Sequence, residues 1–395
     1  MTARRDLVAV ASACLLLGAC ATVSGPRESK GAAEAPAPRI AQAEIPPAPA
    51  VEPAVAEAPA KQPEAPPDLW RRLANGLAFA QCEGNPAVAE RMRAYGGNPE
   101  SLRGMLRRAL PGLEYVLGEI ERRGLPTEFA LLPMVESEYR PVLPKKGGVA
   151  GIWQLMPATA REHGLGIDHD YDGRLDLAAS TATALTLLST LRDQFPQDWR
   201  LVDMAYNAGH YRVALAVAAR ERRGLDVHPD QLALSPTTHA HLAKLEALAC
   251  LVRDADERGF DLPDPDADAT LVAVPAAPGL DFELVARVSG IDVGRLAALN
   301  PAFLKLHVPR SGEHALILPR PNSERLALAL AQIPPAIQAT FGYTRLPGAT
   351  EWQALASRTR VPRELLAALN GAAPDQRIPA GTRLYLPAAA GDRTR

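Results

Sequence analysis

From Asp68 to about Arg253 the apolar residues recur at three- and four-residue steps, and this period restricts the fold of the chain more than any other feature. Leu185, Leu188, Leu191 and Phe195 illustrate it: such spacing lines one face of a helix and does not suit the two-residue alternation of a half-buried strand. Polar residues mark helix starts. Asp176 precedes the run from Leu177 to Phe195, and Thr127-Glu128 is expected to cap the stretch FALLPMVES. Plentiful alanine and proline with only 5% aromatic residues point the same way, to helical packing interrupted by proline-broken stretches. A chain of 395 residues is too long for one ordinary core, so two or three folded units with linkers are expected. The 43 Lys+Arg against 45 Asp+Glu leave a net charge of -2, which offers no electrostatic footprint for nucleic acid.

The N-terminal part has a different texture. Arg4 and Arg5 are followed by a mostly apolar run from Leu7 to Ala19, too short to span a bilayer and arranged as a targeting signal. Its end, Leu17-Gly18-Ala19-Cys20, resembles the bacterial lipobox, which implies cleavage after residue 19 and acylation of Cys20. Ala21 follows where an Asp would change sorting, so the resemblance implies an outer-membrane lipoprotein facing the periplasm, held to the membrane through its lipid. Residues 20–67 are Ala/Pro-rich, with ten prolines between Pro36 and Pro67, and read as a disordered tether. In an extended proline-rich conformation, at ~3.1 Å per residue, it would carry a folded domain well away from a membrane surface. With Cys14 removed and Cys20 lipidated, Cys82 and Cys250 remain in an oxidising compartment. A disulfide between them and two packed free thiols are both open readings.

Past the acidic, proline-broken stretch Asp261 to Asp266 an internal repeat appears. Ala297-Ala298-Leu299-Asn300 returns as Ala367-Ala368-Leu369-Asn370, and each copy leads on to a short apolar run ending in Leu-Pro. Helical stretches are expected over 282–299 and 351–369, each leading into its Asn, a loop and a β-like tail. The second copy, 341–388, resembles a LysM module, a small two-strand, two-helix unit that binds N-acetylglucosamine-containing glycans. The first, 270–320, resembles it more loosely.

The chemistry centres on MVESEY, residues 134–139, where Glu136 follows the apolar run ALLPMV. Glycosidic cleavage needs a proton delivered to the leaving oxygen, and burial disfavours the ionised form of a carboxyl group, so an apolar helix end suits a glutamic acid that must hold its proton. Taken together, ALLPMVES, GIWQLMPATA, YDGRLDLAAST and AYNAG, in this order and spacing, resemble the soluble-lytic-transglycosylase family, and most of all its membrane-bound murein branch with LysM tails. The resemblance covers about residues 68–320. It implies a mainly α chain: a lysozyme-like helical catalytic domain over 68–255, then small α+β LysM-like modules. It also implies peptidoglycan glycan strands as substrate, no cofactor and no metal. Glu136 would be the catalytic acid, Ser137 its orienting neighbour, and Gly151, Gln154, Tyr206 and Asn207 part of the sugar site, with Trp153 and Met156 shaping the cleft.

Hydrolysis by the usual route needs a second carboxylate across the sugar. Glu138 is poorly placed for that, since helix residues two apart face different ways. The resemblance therefore implies an intramolecular route. Glu136 protonates the bond between N-acetylmuramic acid and N-acetylglucosamine, then takes the proton of the muramic acid 6-hydroxyl as that oxygen closes onto C1, leaving a 1,6-anhydro end. Two departures from the family pattern stand out. Lys145-Lys146 occupy the place of a Ser-Pro, and His241 stands where a cleft tyrosine is expected, as a further candidate for contact with substrate. A non-catalytic peptidoglycan-binding lipoprotein and a hydrolytic muramidase of the same fold are the alternatives. Asp168-His169-Asp170-Tyr171-Asp172-Gly173 matches the first half of a calcium loop, but Ala179 stands where the bidentate Glu belongs, so no metal site is expected.

Overall fold

The computed structural model describes residues 68–266 and 269–388. The signal segment, Cys20 and the proline-rich tether lie outside the described residues.

Nine helices, counted among the described residues, build the first part: α1 (Leu69–Asn75), α2 (Pro86–Gly96), α3 (Pro99–Arg123), α4 (Leu132–Ser137), α5 (Pro157–Glu162), α6 (Leu177–Gln194), α7 (Trp199–Ala208), α8 (His210–Glu221) and α9 (Pro236–Arg253). Most begin where a short polar side chain can accept from a free backbone N–H: Asp68, Asn85, Asn98, Asp176, Asp198 and Ser235 cap α1, α2, α3, α6, α7 and α9. Along α3, Leu102, Leu106, Ala109, Leu113, Val116, Leu117 and Ile120 fall on one buried face. They meet Phe129, Trp153, Leu185, Leu188, Leu245 and Leu248 in a single core. A disulfide joins Cys82, ahead of α2, to Cys250 on α9 across 168 residues of sequence.

The expected cap at Thr127-Glu128 is not what forms. Residues Thr127–Leu131 make a short 3-10 helix whose N-cap is Pro126, without a side-chain cap bond. Burial directs both polar side chains elsewhere. Thr127 Oγ1 donates to the Leu73 carbonyl at 2.6 Å, and Glu128 Oε1 accepts from the backbone N–H groups of Ala78, Phe79 and Ala80. Glu128 thus holds the chain after α1 rather than the start of α4.

The second part contains two similar units. In the first, β1 (Leu271–Ala276) pairs antiparallel with β2 (His314–Pro319), enclosing α10 (Phe282–Ser289) and α11 (Val293–Leu299). After α12 (Arg320–Leu330) and α13 (Pro335–Gln338), β3 (Phe341–Arg345) pairs with β6 (Arg383–Pro387). Between them lie β4 (Thr350–Glu351), α14 (Trp352–Thr359), α15 (Arg363–Leu369) and β5 (Arg377–Ile378). Each stretch expected to be one helix is therefore two, broken where Gly290 and Arg360 take left-handed backbone at the end of the first. The repeated Asn has a structural purpose. Asn300 Nδ2 donates to the carbonyls of Leu296 and Ile317 while its Oδ1 accepts from Ile317 N–H. Asn370 makes the same three bonds with Leu366 and Tyr385. In both units one amide ties a helix end to the closing strand.

The first unit packs directly on the helical domain. Asp172 N–H donates to the Ala302 carbonyl at 3.0 Å, Leu304 N–H to the Asp170 carbonyl at 2.9 Å, and the ring of Tyr171 meets those of Phe303 and His314. The carboxylates of the calcium-like loop are thereby engaged: Asp168 accepts from the backbone of residues 170 and 171, Asp170 pairs with Lys305, and Asp172 pairs with Arg174.

Candidate active site

Glu136 sits at the last turn of α4, which ends because Glu138 and Tyr139 both adopt left-handed backbone. Its side chain is 16% exposed, and its Oε1 lies 2.9 Å from His241 Nε2 on α9. The other ring nitrogen, Nδ1, lies 3.1 Å from Oδ2 of Asp203 on α7, a fully buried carboxylate whose Oδ1 has no hydrogen-bond partner. Three helices thus contribute one side chain each to a line running Asp203, His241, Glu136. Burial alone would push the imidazole down, but the two carboxylates outweigh it, Asp203 foremost, and His241 is raised to about 10.

Bonded to α4 and α7 nearby is the loop 148–156. Gly151 has φ +77, and a Cβ there would lie 1.7 Å from the Arg174 carbonyl oxygen, so only glycine fits. Arg174 itself is buried: it pairs with Asp172 and donates from Nη1 to the Gly148 carbonyl at 2.8 Å, which fixes the start of the loop. Gln154 also takes left-handed backbone and donates from Nε2 to the Gly151 carbonyl at 2.6 Å. The loop is stitched to the helices at two points. Ser137 Oγ lies 2.8 Å from the Ile152 carbonyl oxygen, and Tyr206 donates its phenolic O–H to the Trp153 carbonyl at 2.7 Å.

The site residues expected from sequence therefore fall into different settings. Glu136, Ser137, Gly151, Gln154, Tyr206 and His241 belong to one network of bonds joining α4, the loop, α7 and α9. Trp153 is adjacent only through its backbone: its ring is fully buried, with Nε1 donating to Thr181 Oγ1 at 3.0 Å, so it anchors the loop in the core instead of lining a cleft. Ser137 bonds to main chain rather than to Glu136. Met156 and Asn207 are exposed, as are Lys145 and Lys146 in the preceding loop. Both ring nitrogens of His241 face carboxylates, which leaves neither for a sugar. Asp203 was not legible as a site residue; the only signal is one acid among apolar neighbours in WRLVDMAYNA, on the turn before Tyr206.

Of the carboxylates near Glu136 in sequence or space, Asp203 is closed off behind His241, and Glu138 is engaged by Arg108 and Arg140. One carboxyl group stands at the partly open end of the line, backed by His241. That arrangement can hand a proton to a leaving oxygen and take one back.

Comparison with known proteins assigns both parts of the chain to domain types. Residues 118–227 match the model of the Transglycosylase SLT domain, and residues 270–335 that of the Lytic transglycosylase MltD, LysM-like domain. The second match covers the unit that resembled LysM more loosely in sequence and continues beyond residue 320. The chain is 31% identical over 264 residues to membrane-bound lytic murein transglycosylase D of Escherichia coli strain K12, and equally to the protein of that name in Escherichia coli O6:H1. The alignment spans 67% of this chain and 58% of the length of these relatives. The helical part is thus a lysozyme-like SLT domain, followed by a LysM-like domain with few strands.

Proposed function

From a chain that joins a transglycosylase SLT domain to an MltD-type LysM-like domain, we propose a peptidoglycan lytic transglycosylase that cleaves the β-1,4 bond after N-acetylmuramic acid without water and leaves 1,6-anhydro ends. The observation that carries this reading is the setting of Glu136: one partly exposed carboxyl group, with no second free carboxylate described beside it, bonded through Oε1 to His241 and next in sequence to Ser137, whose Oγ bonds the loop 148–156 at the Ile152 carbonyl. The acid delivers its proton to the glycosidic oxygen as the C1–O bond breaks. The muramic acid 6-oxygen then bonds to C1 and gives its proton to the Glu136 carboxylate, restoring the acid. Atoms balance without a hydrolytic water, and the engagement of Asp203 by His241 and of Glu138 by Arg108 and Arg140 fits this route better than hydrolysis with a second carboxylate.

Gln154, Tyr206 and Asn207 would hold the sugar, and exposed Met156 would border it. Tyr206 contributes by fixing the Trp153 carbonyl, and Gly151 by allowing the loop to approach Arg174. The LysM-like units would keep the enzyme on glycan strands. The disulfide fits an oxidising compartment, and no helix among the described residues is long and apolar enough to cross a membrane. Both suit a periplasmic enzyme held at the outer membrane through lipidated Cys20.

The test is Glu136→Gln. This variant keeps shape and one donor-acceptor pair, so it should bind purified sacculi as wild type does and release no soluble muropeptides. Release at the wild-type rate would remove Glu136 from the chemistry.

A further inference from the structure

His241 and Asp203 are the buried titratable pair that the scheme above leaves without a task. Asp203 is fully buried, and His241 is the side chain that donates to it. A buried carboxylate with one hydrogen-bond partner is costly unless that partner carries charge. On the far side of the same ring stands Glu136, so a protonated imidazole donates at both ends, each proton to a carboxylate.

We propose that His241, held as an imidazolium by Asp203, is a positioning residue for Glu136: its Nε2–H fixes Oε1 and leaves Oε2 to carry the proton to the glycosidic oxygen and to receive one from the 6-hydroxyl. This rests on Glu136 being the acid of the reaction. When Oε2 gives up its proton, the carboxylate that remains is already paired with a cation, so the charge formed in the transition state has its partner in place. A neutral imidazole could not do this, because with Nδ1–H committed to Asp203 its Nε2 lone pair would face the new carboxylate.

The charges around the pair support the assignment. From α7 come Asp203 and the phenol of Tyr206, and from α4 comes Glu136. On α9 itself, Glu246 is buried five residues on and accepts from Gln81 N–H. On the 3-10 helix, Glu128 is committed to the backbone of residues 78–80, and on α1, Arg72 is paired with Glu121. From α2, Glu90 and Arg91 border an outer groove with His239. The groups bonded to His241 are both acidic, which is why its folded-state value lies near 10 despite burial. Because that value is raised, the pair stabilises the fold fully below the ordinary histidine value of about 6.5 and loses the contribution as pH rises through about 10.

Two measurements on the full chain test the proposal. First, nitrogen-15 NMR of His241, which needs no substrate, should show both ring nitrogens protonated through neutral pH, and Asp203→Asn should lower the titration midpoint by about 1–3 units. Second, kcat and KM on sacculi should be compared at neutral pH. His241→Gln keeps a donor to Oε1 but removes the charge that awaits the carboxylate formed in the transition state. It should lower kcat by about 10²-fold with KM close to wild type, and Asp203→Asn should act in the same sense. A neutral His241 at pH 7 would overturn the proposal, as would a wild-type kcat in His241→Gln. Glu136→Gln run in parallel separates the two ideas: if that variant stays active, the acid has been misassigned whatever the imidazole does. Should Asp203→Asn fail to fold, the wild-type NMR titration and His241→Gln still decide.

Discussion

Gly151→Ala is the sharpest structural perturbation available. The added Cβ would lie 1.7 Å from the Arg174 carbonyl oxygen, whereas ordinary contact begins at 3.4 Å, so roughly 1.7 Å of separation must be found between two pieces of backbone. Neither moves freely. Arg174 is held by Asp172 and by the Gly148 carbonyl, while the loop is held by Gly151 N–H on the Val142 carbonyl and by Ser137 on the Ile152 carbonyl. Left-handed backbone costs a non-glycine residue about 1–2 kcal/mol, and two or three displaced hydrogen bonds add about 1 kcal/mol each, giving about 3–5 kcal/mol. For a domain of this size each kcal/mol lowers Tm by about 2–4 °C, so the SLT domain should melt roughly 6–20 °C below wild type. Displacement of Gln154 and of the Trp153 carbonyl should also lower sacculus digestion by about 10²-fold. Gly164→Ala is the control: its φ is also +77 but nothing lies within 4 Å, so it isolates the backbone cost and should lower Tm by only a few degrees. Calorimetry of the three proteins decides. Equal melting of Gly151→Ala and Gly164→Ala would refute the collision with Arg174 and the rigid loop built on it.

Other outcomes follow from the same contacts. Asn300→Ala and Asn370→Ala each leave a strand N–H and carbonyl without their partner, so each should cost its own two-strand unit about 2–4 kcal/mol by denaturant titration. Reducing the Cys82–Cys250 disulfide frees a long loop and should cost about 2–5 kcal/mol, read as a lower Tm with reductant than without. Glu246 is raised to about 8 by burial, so its neutral form is the one the fold favours. Its contribution is complete below pH ~4.5 and is lost as pH rises through about 8. Glu246→Gln should therefore raise the unfolding free energy relative to wild type at pH 9, by a few kcal/mol at most, and change it little at pH 5, read by denaturant titration at the two pH values.

Much of this was legible in sequence because it is local. Asp176 caps α6 where the pattern put it, and the four motifs are joined to one another through Ser137, Arg174 and Tyr206. The repeated AALN was visible as a pattern, but its reason, an amide bridging a helix end to a strand, needed the strand to be placed. What could not be read is what depends on pairing across distance. Thr127-Glu128 has the composition of a cap, yet tertiary contacts with residues 73–80 take both side chains. Asp203 and His241 are 38 residues apart and carry no local mark of their partnership. Trp153 lies within a motif that reads as cleft-forming, but a ring of that size is stabilised more by the core than by a solvated wall, so only its carbonyl reaches the site.

The central claim, that one acid and no water open the glycosidic bond, is tested most directly by digesting purified sacculi in water enriched in heavy oxygen and weighing the soluble products. The account predicts anhydro ends that carry no label, formed by wild type and absent with Glu136→Gln. Reducing ends bearing one heavy oxygen per cleavage would contradict it and assign the bond to hydrolysis.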